Sequence, residues 1–529
     1  MLTQKKLAIV GNNLDAWITA FCLARKTYWQ DDSDVSIVVI PVVEDGDGLS
    51  GQSAAITVTP ADMDFFKYLG VAEKQLVSLC DGNFSLGYRY STKADDDSAK
   101  YCTWGDYGFS HEGIEFQHLW HKLCEVSGDR LPYHQYSFGA KCAQHSKFVH
   151  PQSDPSSLLS TYAHGLCLSE KKLTDLFKNL AITGGVTCID VDDSVVISAV
   201  VEKANTTGSN KHIEKIVLSN GLSVKAEFFV DCTTMRLQEK VGTKTSADQV
   251  HMAFDYRLSW SRKLSQKWVY TDLSIACCGW LKKSTTNTRE VFSLVMDSEI
   301  SDLALAKRCM SEKLSCSEQE INVTRFPRNI DSNFWVGNCL CLGVNATGMS
   351  EFGVSSLHLL HRQLDTFISL LPETGCEEVL AEEYKQFVDV LLDRVSELQE
   401  VHALVLAETL GDDGSKIANR DSMDSARGRA LLGSETEVVR KSTKNINALI
   451  ELFRDRATIM PLTEGLLSSA DWAKILLCLG YEPQGHSPLL DAHDFEAISS
   501  KIVAGEKIID QAVSQLPKIE VYLQHYLER

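Results

Sequence analysis

Lys6-Leu7-Ala8-Ile9-Val10-Gly11-Asn12-Asn13-Leu14-Asp15-Ala16-Trp17 sets the fold near the start of the chain. Lys6–Val10 is a short apolar run that fits a strand buried on both faces of a parallel sheet. After the turn, Trp17, Ala20, Phe21 and Ala24 recur at helical spacing as far as about Arg25. Asp31-Asp32-Ser33-Asp34 makes a polar break, and Val35–Val43 is rich in β-branched residues and reads as a second strand. Together these form a β-α-β unit of ordinary size, which predicts an α/β fold with a Rossmann-type beginning.

The turn inside this unit is unusual. A dinucleotide-binding turn uses one glycine for the tight bend, a second for close approach of the pyrophosphate and a third for helix–strand packing. Gly11 keeps the first role. Asn13 stands in the second position, where its side chain takes space a pyrophosphate needs, although Asn tolerates unusual backbone angles. Ala16 replaces the third glycine, a mild change. Asp15 places a negative charge at the helix N-terminus, where a phosphate is otherwise attracted. The second strand ends Val38-Val39-Ile40-Pro41, with no carboxylate for a ribose before Glu44. Two readings stay open: a flavin site with altered contacts, and a scaffold that has stopped binding a dinucleotide.

Working outward, Pro60–Val71 reads as a helix stopped by Gly70. Val186–Val201 reads as strand. Ile213–Leu218, Asn220-Gly221 and Leu222–Val230 read as a hairpin with a type I′ turn. Phe334–Val344 (FWVGNCLCLGV) reads as one buried strand and Leu357–Leu371 as an amphipathic helix. From Glu377 to Arg529 the pattern is helical, with a polar interruption at Gly411–Ser425. The expected organisation is a core over residues 1–375, containing the Rossmann unit at 1–45 and a substrate-lobe insertion at about 90–160, followed by a helical lobe over 376–529.

The 529 residues carry a net charge of −19, which repels nucleic acid and anionic membrane surfaces. No run approaches a membrane-spanning length, and no secretory signal opens the chain. The sixteen cysteines are irregularly spaced and mostly lie in apolar segments, which points to a reducing cytoplasm rather than to disulfides or zinc knuckles. His118 and His121 lie three apart on a predicted helix, a spacing that can suit a metal, yet core or lining roles are commoner for such residues and no metal site is expected. Trp104, Phe109, Phe116 and Trp120 are candidates for an aromatic pocket, and core roles fit them equally well; Trp280 joins Trp104 and Phe109 as an expected substrate-pocket residue. Trp335 reads as core.

Six ordered segments carry a resemblance to the flavin-dependent tryptophan halogenases: the turn ending Ala16-Trp17, Pro60–Val71, Asn83–Tyr90, Ala226–Cys232, Phe334–Leu371 and Asp471–Pro488 followed by Gln515-Leu516-Pro517. The resemblance implies a flavin-monooxygenase-like Rossmann core with a mixed-sheet substrate region and a helical C-terminal lobe. It also implies FAD, a flavin reductase partner, a possible homodimer and a small or peptide-bound aromatic substrate. Gly11, Asn12, Asn13, Leu14, Asp15, Ala16, Gly343 and Val344 fall at the cofactor positions. A further flavin-lining segment matches either Ser53–Val58 or Gly51–Ala54.

The family's chemistry, as the resemblance implies it, needs a lysine and a glutamate to deliver hypohalous acid to an aromatic ring. Ser85 stands at the lysine position and Gly353 at the glutamate position. Serine forms no haloamine and supplies no cationic donor. The halide position falls at Ser355 and Ser356, and of the family's paired tryptophans only Trp280 remains. The chain therefore reads as a diverged relative that does not halogenate by the lysine–glutamate route. Two functions remain: an FAD-dependent oxidase or monooxygenase on an aromatic substrate, and a catalytically silent binding or scaffold partner without flavin.

Overall fold

The computed structural model describes residues 5–28, 35–42, 54–91, 99–190, 197–204, 211–241, 249–276, 278–348, 352–371, 377–412, 437–460 and 466–528. The expected polar breaks at Asp31–Asp34 and 413–425, the position Glu44 and the segment Gly51–Ser53 lie outside them.

Lys5–Val10 forms the middle of a six-stranded sheet. It pairs in parallel with Val35–Ile40 on one side and Phe228–Asp231 on the other. Cys339–Cys341 continues the parallel run beyond Phe228–Asp231, and Thr187–Cys188 closes the opposite edge. Ala8, Ile9 and Val10 have no exposed surface, as expected for a strand covered on both faces. The helix Leu14–Tyr28 packs its Phe21 edge-to-face on Phe177 of the helix Glu170–Thr183, with ring centroids 5.7 Å apart. The Rossmann-type beginning is thus present.

A second sheet of seven strands is mixed. Gly87–Ser91 pairs in parallel with Thr271–Ala276, while its other neighbours run antiparallel. A three-stranded sheet joins Ala55–Val58, Gly165–Ser169 and Asn83–Ser85. Pro60–Tyr68 is helical, with Gly70 at φ +76° just beyond it. The C-terminal part contributes the helices Glu377–Asp412, Glu437–Arg456, Ser469–Leu479, Phe495–Ser514 and Ile519–Glu528. One apolar cluster takes in residues from Leu7 to Leu523, so the C-terminal helices pack into the same core as the first sheet. Among the described residues, no helix is long and apolar enough to cross a membrane.

Four sequence expectations change. Leu222–Val230 is two strands in two sheets: Ser223–Lys225 pairs with Lys211–Leu218, whereas Phe228–Asp231 joins the central sheet. The hairpin turn is not type I′, because Gly221 has φ +83° but Asn220 has no positive φ. A three-residue loop with a glycine bulge results, closed by the Gly221 amide on Leu218 O at 2.9 Å. Phe334–Val344 folds back on itself. Trp335–Val336 and Cys339–Cys341 pair antiparallel around Gly337 (φ +54°) and Asn338. Asn338 explains the fold-back, since its side chain bonds Ile213 and Glu227 and ties the turn to neighbouring strands. Val186–Val201 is strand only at Thr187–Cys188 and from Ile197; Ile189 and Asp190 are not strand, and 191–196 lie outside the described residues.

Candidate functional site

The turn after the first strand is filled from within. Gly11 has φ +135°, and a Cβ there would lie 3.3 Å from the Ala16 methyl and 3.4 Å from Cys232 Cβ, so glycine is required. Asn13 accepts a hydrogen bond from the Ala16 amide at 3.0 Å and donates to Cys232 O at 2.7 Å. Its side chain thereby caps the helix and stitches the turn to the end of Phe228–Asp231. Asn12 accepts from the Trp17 indole at 3.1 Å.

Asp15 lies one residue into the helix, 7% exposed, and accepts the Val344 amide on Oδ2 at 2.7 Å. A helix N-terminus attracts an anion, and so does a run of free amides after a strand. Here both face one carboxylate. Gly343 has φ +93°, and a Cβ on it would sit 2.3 Å from Asp15 Oδ2, so the glycine exists to admit this side chain. Burial is the main force on Asp15 and pushes its pKa up to about 6, with the Val344 amide opposing and Glu170 adding to the rise. The cavity at the turn, lined by Asn13, Leu14, Asp15, Val344, Ser355 and Ser356 among others, holds about 80 Å³. Pockets for drug-sized ligands run at about 300–1,000 Å³. These residues do not fit a pyrophosphate at the turn.

Ser85 lies on Asn83–Ser85, 1% exposed, and its hydroxyl has no hydrogen-bond partner. Gly353 has φ +101° and lines a larger cavity of about 330 Å³, where a Cβ would meet only Ile475 Cδ1 at 3.9 Å. Trp104 lines this cavity with Tyr88, Tyr90 and Leu467. Phe109 and Trp280 do not. Phe109 packs near Phe116, and Trp280 is fully buried, donating its indole N–H to His402 O at 3.0 Å. Trp335 is core, as expected.

Ser355 caps the helix Ser356–Ser369 by accepting the His358 amide at 2.9 Å, and its hydroxyl donates to Asp62 Oδ2 at 2.6 Å. Asp62 has no exposed surface and closes a capping box with Thr59. Burial raises its pKa, and the hydrogen bonds from Ser355 and Thr59 resist that rise. A carboxylate therefore already occupies the Ser355 hydroxyl. The capping pattern Thr59-x-x-Asp62 is visible in sequence, but its partner Ser355 is 293 residues away. Two further cavity residues carry no sequence signal. His358 is held neutral by burial, its pKa pushed down to about 4. Lys474, 5% exposed, spends its N–H groups on Asp471 Oδ1 at 2.6 Å, Gly105 O at 3.2 Å and Thr103 O at 3.4 Å.

The tryptophan halogenase family model matches residues 6–406. The tryptophan 7-halogenase KtzQ of Kutzneria sp. (strain 744) is 21% identical over 422 residues, covering 75% of this chain and 75% of the relative. Among solved structures, BrvH, a flavin-dependent halogenase from Brevundimonas sp. BAL3, superposes with a TM-score of 0.81 at 20% identity and covers 99% of each chain. Xcc4156, a flavin-dependent halogenase from Xanthomonas campestris, gives 0.80 at 18% identity, covering 99% of this chain and 98% of that one. Those likenesses show a shared fold over the whole length, and the family match spans most of it. The chain belongs to the tryptophan halogenase family.

Proposed function

We propose that this protein is a halogenase-family member that does not halogenate by a lysine–glutamate route and acts by binding a small aromatic ligand in the cavity beside Gly353, without a flavin at the turn. The observation that carries this reading is the Asp15 carboxylate on the Val344 amide. It fills internally the place where the turn receives an anion. The cavity supports the ligand class: it is of ligand size, largely apolar, and lined by Tyr88, Tyr90 and Trp104. The only lysine on its wall among the described residues, Lys474, is committed to three oxygen acceptors and offers no free donor to an oxidant.

The experiment is a flavin titration of the purified protein, followed by an indole or tryptophan titration read by fluorescence. A colourless protein with no saturable FAD binding and micromolar-to-millimolar indole binding is the expected result. A yellow protein, or saturable FAD binding, overturns it. That outcome would favour an FAD-dependent oxidase or monooxygenase served by a flavin reductase, a reading that Arg257 and Lys282, two cations lining the turn cavity, support.

A further inference from the structure

The helix Phe116–Ser127 follows the strand Lys100–Thr103. His121 and Glu125 are four residues apart on it and share one face. The segment following Ser469–Leu479 brings His486 to that face. His121 Nδ1 lies 3.8 Å from Glu125 Oε2, and His486 Nδ1 lies 3.2 Å from the same oxygen. All three ligand atoms fall within 4.8 Å of one another.

Two further facts separate this cluster from an ordinary polar contact. His121 is 7% exposed, and its Nδ1 is buried with no hydrogen-bond partner; His486 Nδ1 is also buried and, although 3.2 Å from Glu125 Oε2, makes no aligned hydrogen bond. Buried polar atoms are seldom left so. The other ring edges are engaged. His486 Nε2 meets Asp491 Oδ1 at 3.1 Å, and the Pro483 backbone lies beside the His121 ring. A carboxylate or carbonyl on the far nitrogen fixes the tautomer and leaves the near nitrogen as a lone pair, the arrangement that outer contacts give to metal-bound imidazoles.

We infer that His121, His486 and Glu125 bind one divalent transition-metal ion, with zinc the best match, which pins the insertion helix to the C-terminal segment. Two imidazoles and one carboxylate are a zinc-type donor set, with water able to complete a tetrahedron. Metal–ligand bonds of about 2.0–2.2 Å place tetrahedral ligand atoms roughly 3.3–3.6 Å apart, and the two measured spacings to Glu125 Oε2, 3.2 and 3.8 Å, lie on either side of that range. Glu125, 48% exposed, gives the ion a way in. The site is not the pair His118 and His121 that the sequence spacing offers, because His118 Nδ1 already accepts the Ser487 amide at 3.1 Å.

The other histidine clusters lack these properties. In Glu73–His150–His164 both Nε2 atoms already meet Glu73 oxygens, at 2.7 and 2.8 Å, and His150 Nδ1 meets the Tyr522 hydroxyl. In His111–Glu112–His493 the carboxylate is 69% exposed and 3.9 Å from the ring.

The test uses the full chain, stripped with a chelator and titrated with zinc against a chromophoric competitor, and separately with cobalt(II) for the visible absorption of a tetrahedral ion. One ion per chain is expected. His486→Ala and Glu125→Gln, both at the edge of the fold, should weaken binding at least 100-fold. Asp491→Asn keeps all three ligands and should weaken it roughly 10–100-fold. His493→Ala should leave it unchanged. Circular dichroism of each metal-free variant confirms that it folds. Failure of the wild-type chain to take up one ion would reduce the cluster to an ion pair and overturn the assignment. Binding that survives both His486→Ala and Glu125→Gln would overturn it equally.

Discussion

Replacing Asp15 by Asn tests the internal-anion reading of the turn directly. Asn keeps an oxygen that can accept the Val344 amide and removes the charge. In the folded chain the Asp15 pKa is pushed up to about 6 from 3.8, chiefly by burial. A rise of about 2.2 units is worth about 3 kcal/mol at roughly 1.36 kcal/mol per unit. The sign follows from proton counting. Between the unfolded and folded values the native state binds more protons than the unfolded one, so stability falls as pH rises. The protonated carboxyl's advantage is fully present below about pH 4 and lost as pH passes through about 6. From pH 4 to pH 7, the wild-type chain should lose about 2–3 kcal/mol through this group. The variant should not. The assay is urea unfolding of both chains at several pH values, comparing only their difference so that other titrating groups cancel. The wild-type-minus-variant difference should fall steadily across that range. A flat or rising difference would refute a buried, ionising Asp15 and with it the account of the turn.

Other perturbations have definite outcomes. Ser85→Lys with Gly353→Glu should restore no halogenation in a product assay: Ser85 is 1% exposed, so the new ammonium loses several kcal/mol of hydration, and Gly353 at φ +101° adds strain of about 1–2 kcal/mol. Ala163→Phe, which fills the cavity beside Gly353, should abolish indole binding by fluorescence titration while leaving the thermal midpoint within a few degrees. Glu73→Gln should loosen the last helix, Ile519–Glu528. Burial works against ionisation of Glu73, but hydrogen bonds from His150, His164 and Tyr526 and the charge of His164 hold its pKa well below the usual carboxylate range. Losing them should cost about 2–4 kcal/mol and raise hydrogen exchange at the C-terminus. In the wild-type chain the same protection should be present above about pH 4.5 and fade as acid protonates Glu73.

Local pattern carried the first β-α-β unit because each of its signals is local. Val10 and Ile40 end strands that are apolar through their length, and Gly11 marks the bend by itself. The misread elements fail for one physical reason. Ser223–Lys225 and Phe228–Asp231 form a nearly continuous strand-like run, and what divides them is which sheet each joins, a long-range choice. Trp335–Cys341 reads as one strand until Gly337 takes a positive φ and Asn338 finds partners at Ile213 and Glu227. The site divides in the same way. Asp15 announces a poor phosphate host from its place at a helix start, but its partner Val344 is 329 residues away. Phe109 and Trp280 look like pocket residues by type, yet Trp280 has a buried carbonyl to satisfy and Phe109 an aromatic neighbour. His121 carries no local clue to His486, which the fold delivers from the far end of the chain.

Asp15 also bears on what the protein needs in order to fold. A cofactor-dependent turn leaves a helix N-terminus and loop amides waiting for phosphate, so the bound cofactor stabilises the native state. In this chain Asn13 caps the helix and Asp15 takes the Val344 amide, and under the proposed reading these contacts complete the turn without a ligand. A ligand that binds only the native state stabilises it by RT ln(1 + [L]/Kd), about 2.7 kcal/mol at one hundred times Kd. Thermal melts with and without excess FAD therefore distinguish a cofactor-dependent turn from a self-sufficient one. If the turn is self-sufficient, the midpoint stays fixed as FAD rises to the millimolar range, whereas Asn13→Gly combined with Asp15→Ala, which empties the turn, lowers the midpoint without ligand. A midpoint that climbs with FAD in the wild-type chain would show that Asp15 yields its place to the pyrophosphate, and the binding-protein reading would give way to the flavoenzyme one.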